Sequence, residues 1–333
     1  MTIYDIAKKC NVSIATVSRV LNGSRRVSPE TRERVLAVMK EEDYNPNPFA
    51  RGLGLDSMKM IGVLCADVAD TFYAKAVSLI ENDLRQKDWN VVLCCTGSDD
   101  GKGAEYLRYL TQKHVDAIII VGTPFSSRRD VAELERISSD IPIITINSDY
   151  HSPSAFSIVC DEKEGMRTIV KKLAEKNCSS ILYLYDSLTY SGKQKLAGYR
   201  AGIDDFFLDA APVLAQKIPR TLEAAENIVR KLIANDIFFD AIVTSEDLLA
   251  VAAQRAALKN GKAIPVIGCN NSILAECSTP TLTSLDNRLG DLCTMAVHTV
   301  TQLMSDRSAP VPTKTVFSAQ IAERESFVFS VNQ

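Results

Sequence analysis

The residues best suited to chemistry in this 333-residue chain lie near its N-terminus, in a short segment that mixes apolar, hydroxyl and basic side chains. At helical spacing, its buried stripe consists of Val17, Val20 and Leu21. The side chains left facing outward are Ile14, Ala15, Ser18 and Arg19. An outward arginine can donate two hydrogen bonds to guanine, and small apolar side chains can contact thymine methyl groups. The pattern predicts a helix that contacts DNA bases, and a solvated face on a small helical bundle is the alternative.

Polar side chains around this helix favour contacts with a DNA backbone. The candidate phosphate ligands are Thr2, Ser13, Thr16, Asn22 and Arg26. Hydrogen bonds to phosphates orient a protein on the duplex without distinguishing its bases. Residues 1–40 hold eight Lys and Arg against three acidic residues, a balance of +5, which leaves −8 for the rest of a chain whose net charge is −3. A basic head on an acidic body is typical of a DNA-binding module joined to a sensing domain, and chance clustering of charge is the alternative.

Local signals place this segment in the second of three short helices. The predicted helices run over 3–10 and 14–21 and from Pro29 onward, and their predicted caps are Thr2, Ser13 and Ser28. Asp5 completes a capping-box pattern with Thr2. The apolar face predicted for the third helix consists of Val35, Leu36, Val38 and Met39. Helices so closely spaced bury one small core, and the tight joint between the first two predicts a helix-turn-helix.

From Met60 onward, short apolar runs alternate with segments of helical periodicity. The runs predicted as strands include 61–66, 91–95, 117–121, 143–146, 181–185, 241–244 and 266–269. The predicted helices include 73–87, 165–176, 222–235 and 248–260. This alternation predicts parallel sheets covered on both faces, in a body long enough for two subdomains. Ligands of such folds bind at the carboxyl ends of the strands.

The chain lacks the sequence signals of an enzyme, a metalloprotein or a membrane protein. No strand is followed by a glycine-rich nucleotide loop, and no serine or cysteine stands in a nucleophile elbow. The nine cysteines include no Cys-x-x-Cys pair, which favours free buried thiols, and the three histidines have no metal-ligand spacing. No apolar run approaches the roughly 18 residues of a membrane span, and the N-terminus does not resemble a signal peptide. We therefore expect a cytoplasmic protein without a cofactor or metal.

Longer stretches of the N-terminal segment resemble the DNA-binding head of the lac repressor (LacI/GalR) family of transcriptional regulators. The matching stretches are Ile3–Ala7, Val12–Gly23, Val27–Val35 and Tyr44–Asn47. The resemblance implies an all-α helix-turn-helix DNA-binding domain over residues 1–46, followed by a hinge helix and linker over 47–59. That hinge helix, with Asn47 as its cap, forms only when two subunits sit on DNA. Leu53 is its expected base contact, an apolar wedge that enters the minor groove and kinks the duplex.

The body is similar to the periplasmic-binding-protein-like core of the same family. Matching motifs occur in the expected order at 70–73, 141–144, 161–165, 196–199, 245–250, 280–284 and 324–326. The resemblance implies an α/β effector-binding and dimerisation core over 60–333, made of two doubly wound parallel-sheet subdomains. The implied N-terminal subdomain spans about 60–159 and 287–316, and the C-terminal one about 160–286 and 317–333. The chain is then expected to cross between them near Val159, Leu285 and Val316.

The effector cleft is where the sequence departs from the sugar-responsive members that it resembles. Asn147-Ser148 stands in place of Asp-Arg, and Lys195 stands in place of an arginine. Glu246 replaces an asparagine, and Asn270 replaces an aspartate. The exchanges rearrange the polar groups of a cleft, although lysine lacks the planar fork of arginine. The cleft residues that the resemblance implies are Phe72, Lys195, Glu246 and Asn270, with an ordinary surface or hinge role as the alternative for each.

Head and body together predict a homodimeric transcriptional regulator, most often a repressor in this family. A small-molecule effector, a sugar or related metabolite, would change the closure of the core and so the affinity for a pseudo-palindromic operator. The hinge segment Ala50–Leu53 is similar to that of the catabolite control proteins, which respond to a phosphorylated carrier protein docked on the N-terminal subdomain. The resemblance therefore suggests the same partner here, although no basic patch that would bind it stands out in the sequence. One alternative is a solute receptor, which would share the body, but the attached head and the lack of a signal peptide argue against it. A second alternative is an enzyme on this scaffold, which would need a nucleophile or a cofactor loop that the sequence does not show.

Overall fold

The structure is a computed structural model, and it describes residues 2–21, 24, 26–44, 57–97, 102–125, 127–150, 155–207 and 213–328. Among the predicted site residues, Asn22 and Leu53 lie outside the described residues, as does the predicted hinge helix that contains Leu53. Of the helices in the described ranges, none combines the length and the apolar character needed to cross a bilayer.

Three helices form the N-terminal head: α1 (Ile3–Lys9), α2 (Ile14–Leu21) and α3 (Pro29–Glu41). Their common core contains Ile6, Ala7, Cys10, Val17, Val20, Val35 and Met39. The first helix ends one residue before its predicted end, because Cys10 serves as its C-cap. The prediction that Leu36 belongs to the apolar face of α3 is wrong, since this side chain is 49% exposed. The reason is that the small core covers only a narrow stripe of α3, centred on Val35 and Met39.

Side-chain caps explain where the first and third helices begin. The backbone N–H of Thr2 donates a hydrogen bond to the Asp5 carboxylate at 2.8 Å, as the capping-box pattern predicts. The Ser28 hydroxyl oxygen accepts a hydrogen bond from the Thr31 N–H at 3.3 Å, immediately before the proline in the first turn of α3. These caps satisfy backbone donors that have no partner inside the helix.

The body contains two six-stranded sheets. The first sheet is formed by β1 (Met60–Cys65), β2 (Asn90–Cys95), β3 (Ala117–Val121), β4 (Ile143–Ile146), β5 (Ala155–Asp161) and β11 (Lys314–Ser318). Its strand order is β11-β5-β4-β3-β1-β2, and every neighbouring pair is parallel. Central strands such as β3 are buried along their whole length, because helices cover both faces of the sheet.

The second sheet repeats this design with one difference. Its strands are β6 (Ile181–Tyr185), β7 (Leu214–Lys217), β8 (Ala241–Thr244), β9 (Val266–Cys269), β10 (Thr283–Asp286) and β12 (Gln320–Ala322). The order is β12-β10-β9-β8-β6-β7, and all pairs are parallel except β10 and β12. The predicted parallel sheets therefore include one antiparallel pair, at this edge. The reason is that β12 follows β11 after a single residue and reaches the second sheet directly from the first. The crossover helix that normally makes successive strands parallel is missing between them, so β12 runs antiparallel to β10.

Helices connect the strands and pack against both faces of each sheet. They are α4 (Thr71–Gln86), α5 (Gly103–Gln112), α6 (Arg128–Ser138), α7 (Glu162–Glu175), α8 (Tyr190–Phe206), α9 (Leu222–Ala234), α10 (Asp247–Lys259), α11 (Ile273–Cys277) and α12 (Leu289–Ser305). On β1, Val63 packs with α4 and α12, whereas Leu64 packs with α5 and α6. On β6, Tyr183 packs with α7 and α8, whereas Leu184 packs with α9, α10 and α11. Successive strand residues thus serve opposite cores, as doubly wound sheets require.

The chain passes between the two sheets three times, after β5, after β10 and after β11. The residues at which crossings were predicted, Val159, Leu285 and Val316, lie on these three strands. The predicted helices correspond to α4, α7, α9 and α10, with ends that differ by at most three residues. The earlier starts of α4 and α7 have one cause, since Asp70 and Asp161 cap them by accepting hydrogen bonds from backbone N–H groups at 2.8 and 3.0 Å.

Candidate functional site

The outer face of α2 presents the residues predicted to contact DNA bases. Ile14 is 40% exposed, Ala15 and Arg19 are exposed, and Ser18 is half-buried. Val17 lies on the opposite side and is fully buried in the head core. An exposed arginine beside small apolar side chains matches the major groove, where acceptor atoms of guanine alternate with thymine methyl groups. The geometry of α2 therefore suits direct contact with base edges.

Polar groups at the start of α2 suit contact with phosphates. Among the described residues predicted for this role, Thr2, Ser13 and Arg26 are exposed and Thr16 is half-buried. The Ser13 hydroxyl oxygen accepts a hydrogen bond from the Thr16 N–H at 3.2 Å, and the two hydroxyl oxygens lie 2.9 Å apart. Ser13 thus caps α2 while remaining accessible to solvent. Hydroxyl groups and free N–H groups at a helix N-terminus favour an anionic partner such as phosphate.

A polar cleft lies where carboxyl ends of strands from both sheets come together, and it holds about 530 Å³ of space continuous with solvent. All four predicted cleft residues line it: Phe72, Lys195, Glu246 and Asn270. Six further polar lining residues are important for its chemistry: Asp70, Thr123, Asn147, Asp186, Arg220 and Asn287. The cleft thus has the position that α/β folds of this kind give to a ligand site.

Lys195 lies at the bottom of the cleft with 4% of its surface exposed. Its ammonium nitrogen donates to the Ser245 carbonyl oxygen at 3.0 Å and to Asn270 Oδ1 at 3.2 Å. The carboxylate of Glu162, at the first position of α7, lies 3.4 Å from the same nitrogen. Although burial opposes the charged form, Glu162 raises the pKa of Lys195 above its usual value. Lys195 is therefore a buried cation that donates two hydrogen bonds and pairs electrostatically with the Glu162 carboxylate.

Arg220, in the loop after β7, spans the cleft between the two sheets. Its guanidinium forms an ion pair with Asp70, the cap of α4 on the side of the first sheet. On the side of the second sheet, Arg220 Nε lies 2.5 Å from Glu246 Oε2. Although burial opposes its charge, Glu246 and Asp70 raise the pKa of Arg220. One arginine thus links the two halves of the core through two carboxylates.

Glu246, at the cap position of α10, has the most perturbed carboxylate of the cleft. Burial and the nearby negative charge of Asp186 raise its pKa to about 7, and the opposing effects of Arg220 and Lys195 only partly compensate. Asp186 accepts a hydrogen bond from the Ser245 hydroxyl at 2.9 Å. Two carboxylates therefore share one wall of the cleft and repel each other.

Amide groups form the other polar part of the cleft. The backbone of Asn270 has a φ of +95°, in a region that asparagine tolerates better than most residues. Its Oδ1 accepts hydrogen bonds from Lys195 and, at 3.2 Å, from Asn287 Nδ2. In the described part of the chain, no hydrogen-bond partner exists for two buried oxygens of the lining residues, Asn287 Oδ1 and Thr123 Oγ1. Both atoms therefore lack the hydrogen bond that a buried polar atom normally makes.

Aromatic rings form the apolar part of the cleft. The rings of Phe72 and Tyr73 meet edge to face with their centroids 5.3 Å apart. A ring face beside hydrogen-bonding groups suits a ligand that has both C–H and O–H surfaces. Within the described ranges, no group of three or more His, Cys, Asp or Glu side chains is arranged to hold a metal ion.

Comparison with known proteins identifies the family. Residues 2–47 match the model described as "Bacterial regulatory proteins, lacI family". Residues 58–307 match the model of "Periplasmic binding proteins and sugar binding domain of LacI family". The chain belongs to the LacI family. The predicted family and the predicted fold class, a helix-turn-helix head on a two-sheet α/β core, are thereby confirmed.

Relatives of this LacI-family regulator match it over nearly its whole length. It is 40% identical to an HTH-type transcriptional regulator of Lachnoclostridium phytofermentans, over 99% of this chain and all of the relative. It is 28% identical to catabolite control protein A of Streptococcus mutans, over 92% of each chain. The lac repressor dimer bound to operator and the anti-inducer ONPF has the same fold, with a TM-score of 0.87, 24% identity and 98% coverage of each chain. A CelR–cellobiose complex shares the fold with a TM-score of 0.71, 22% identity and coverage of 98% of this chain and 99% of that one.

Several residues that give the cleft its charge were not predicted from the sequence. Asp70, Asp186 and Arg220 were not among the predicted site residues, although each lies in a loop that follows the carboxyl end of a strand. That position was the available signal, because such loops line the ligand site in this fold. Glu162 gave no comparable signal, since an acidic residue at the start of a helix is common on protein surfaces.

Proposed function

We propose that this LacI-family transcriptional regulator is a homodimeric repressor whose affinity for a pseudo-palindromic operator is switched by a small polar metabolite in the cleft. The observation that carries the proposal is the Arg220–Asp70 ion pair, which joins the two halves of the core across the cleft. A ligand that enters there must contact both halves and compete with this pair. It thereby changes the relative stability of open and closed states, which is what an allosteric effector requires.

The DNA-binding part of the proposal assigns roles to residues of the head. Residues 1–46 bind the operator, and residues 47–59 connect them to the effector-binding and dimerisation core at 60–333. Residues that contact bases are Ile14, Ala15, Ser18, Arg19 and Leu53, and those that contact phosphates are Thr2, Ser13, Thr16, Asn22 and Arg26. The exposure of the α2 outer face supports these roles. The protein acts in the cytoplasm, where its DNA is, and catalyses no reaction.

The relatives support a sugar-like effector. One solved relative is a regulator in complex with cellobiose, and a second is complexed with D-xylulofuranose. The ring faces and hydrogen-bonding groups of the cleft are compatible with such ligands. Docking of a phosphorylated carrier protein stays a prediction from the resemblance to catabolite control proteins.

Binding experiments with the full chain test the switch. The operator is first selected from random duplex DNA, and ligands are then found by a thermal-shift screen of sugars, sugar phosphates, nucleosides and uronic acids. A ligand that binds the folded state raises the melting temperature. We expect such a ligand to change the operator Kd by about 5- to 150-fold. A bound ligand that leaves the operator Kd unchanged contradicts the switch, and a purely monomeric protein in sedimentation contradicts the dimer.

A further inference from the structure

The charges of the cleft identify the chemical class of its effector, an inference that rests on the proposed function. Both cations of the cleft already have internal partners. Lys195 is held by Glu162, the Ser245 carbonyl and Asn270, and Arg220 is held by Asp70 and Glu246. An anionic ligand would therefore add a further negative charge beside cations that carboxylates already neutralise.

Asp186 is the lining carboxylate that takes part in none of these ion pairs. It lines the cleft and accepts one hydrogen bond from the Ser245 hydroxyl. Within the described residues, no lysine or arginine forms an ion pair with it. When all of them are ionised, the lining carboxylates Asp70, Asp186 and Glu246 and the buried Glu162 beneath the cleft outnumber Lys195 and Arg220 by four to two, and the raised pKa of Glu246 reduces this surplus near pH 7. Asp186 is half-buried, and a surplus of negative charge in a partly enclosed cleft is unfavourable, so a cationic ligand would relieve it.

The unpartnered oxygens point to the same donor-rich ligand. Asn287 uses its Nδ2 group on Asn270, so its buried Oδ1 requires a donor from elsewhere. The buried Thr123 hydroxyl also lacks a partner among the described residues, and it can either accept or donate a hydrogen bond, so the need for a donor rests on Asn287. Hydroxyl and ammonium groups both supply donors, whereas a carboxylate or phosphate supplies only acceptors at neutral pH.

We propose that the effector is a small polyhydroxylated molecule with a protonated amine, such as an amino sugar, and that its ammonium group pairs with Asp186. The hydroxyl groups donate to Asn287 and Thr123, and the apolar side of the molecule lies beside Phe72. Such a ligand neutralises the surplus carboxylate and leaves the internal partners of Lys195 in place.

Calorimetric titration of the full chain with matched sugars tests this proposal. The probes are glucose, glucosamine and glucuronic acid, and the corresponding galactose and mannose sets. In at least one set we expect the amine to bind about tenfold or more tightly than the neutral sugar, which corresponds to about 1.4 kcal/mol, and the acid to bind most weakly. Tighter binding of a neutral or acidic member, or no binding of any amine up to about 10 mM, overturns the proposal.

Substitution of the surplus carboxylate tests the assigned contact. Asp186→Asn keeps the size of the side chain, and we expect it to reduce the amine preference to less than about twofold, with little change in affinity for the neutral sugar. Asp204→Asn, which removes an exposed charge from α8, is the matched control and retains the preference. An unchanged preference in Asp186→Asn overturns the contact. A neutral sugar that binds more tightly than its amine and alters operator affinity overturns the ligand class alone, whereas an amine that binds without altering operator affinity contradicts the proposed switch.

Discussion

The outer face of α2 and the cleft of the core both carry functional arginine or lysine residues, but they hold them differently. Arg19 on α2 is exposed and makes no ion pair with another described residue, whereas Lys195 and Arg220 in the cleft are each bound to internal carboxylates. The head can therefore bind a phosphate-rich partner without breaking internal contacts. A ligand of the cleft must instead bind among charged groups whose mutual contacts already stabilise the core. Changes in the cleft should consequently affect stability and closure, and changes on α2 should affect recognition alone.

The largest expected effect of this difference is on the stability of the core. Lys195→Met removes the cation from the buried Lys195–Glu162 pair and leaves the Glu162 carboxylate without compensation. We expect a loss of about 3–5 kcal/mol in the free energy of unfolding, measured by urea denaturation. Adding Glu162→Gln to this variant should recover most of the loss, because no buried charge then remains.

Lys193→Met is the matched control for this prediction, since Lys193 lies exposed on the same helix, α8. It should change the unfolding free energy by no more than about 0.5 kcal/mol. Equal losses of unfolding free energy in the two lysine variants would contradict the conclusion that the Lys195–Glu162 pair stabilises the core.

The pH dependence of stability provides the second test. The pKa of Glu246 is raised to about 7 in the folded protein from an ordinary value of 4.5, so the folded state binds this proton more tightly than the unfolded state does. Stability therefore falls as pH rises from the unfolded pKa to the folded one, and the penalty is fully present above about pH 7. We expect it to be on the order of 3 kcal/mol.

Glu246→Gln should lack this decline, because glutamine does not titrate. The difference in unfolding free energy between the variant and the parent, measured by denaturation from pH 4 to pH 8, isolates the contribution of this side chain from those of other groups. Glu223→Gln, at an exposed position in the first turn of α9, should give a flat difference curve. A flat curve for Glu246→Gln as well would show that Arg220 fully compensates the burial of Glu246.

The third test concerns recognition by the head. Arg19→Ala should weaken operator binding by about 1–3 kcal/mol relative to non-operator DNA, the range for one bidentate contact with a base. Fluorescence anisotropy with both duplexes measures this difference, and the unfolding free energy should remain near that of the parent. Arg34→Ala removes the same charge from an exposed position on α3 and should preserve the ratio of the two affinities. If Arg19→Ala lowers both affinities equally, Arg19 contacts phosphates rather than bases.

The same two regions show what sequence patterns could predict. The limits of α2 were predicted correctly because a cap and an apolar repeat are local signals. Strand β7 was missed because its residues are half-buried or exposed, so it has no continuous apolar run. The cleft residue Arg220 was missed for a different reason. Its role depends on Asp70, which lies 150 residues earlier and approaches it only through the packing of two sheets.

Glu162 shows most clearly what sequence patterns could not predict. Its position at the start of α7 is typical of an exposed residue that interacts with the helix dipole, yet it is 1% exposed beneath Lys195. The resemblance to a family identified Lys195 as a cleft residue, but it did not indicate which group compensates the buried charge. Only the tertiary structure brings that partner within 3.4 Å.

The smallest expected effect concerns the cap of α3. Ser28→Ala removes the hydroxyl that accepts from the Thr31 N–H and should destabilise the head by about 1 kcal/mol, whereas Ser28→Gly should lose only a few tenths. Hydrogen exchange of the α3 amides measures this change locally. Ligand affinity of the cleft should remain unchanged in both variants, because the Ser28 side chain forms no hydrogen bond with a described residue of the core. If the affinity for ligand falls together with α3 protection, the head and the cleft share one folding unit, and the contrast between an independent recognition surface and an internally paired cleft no longer holds.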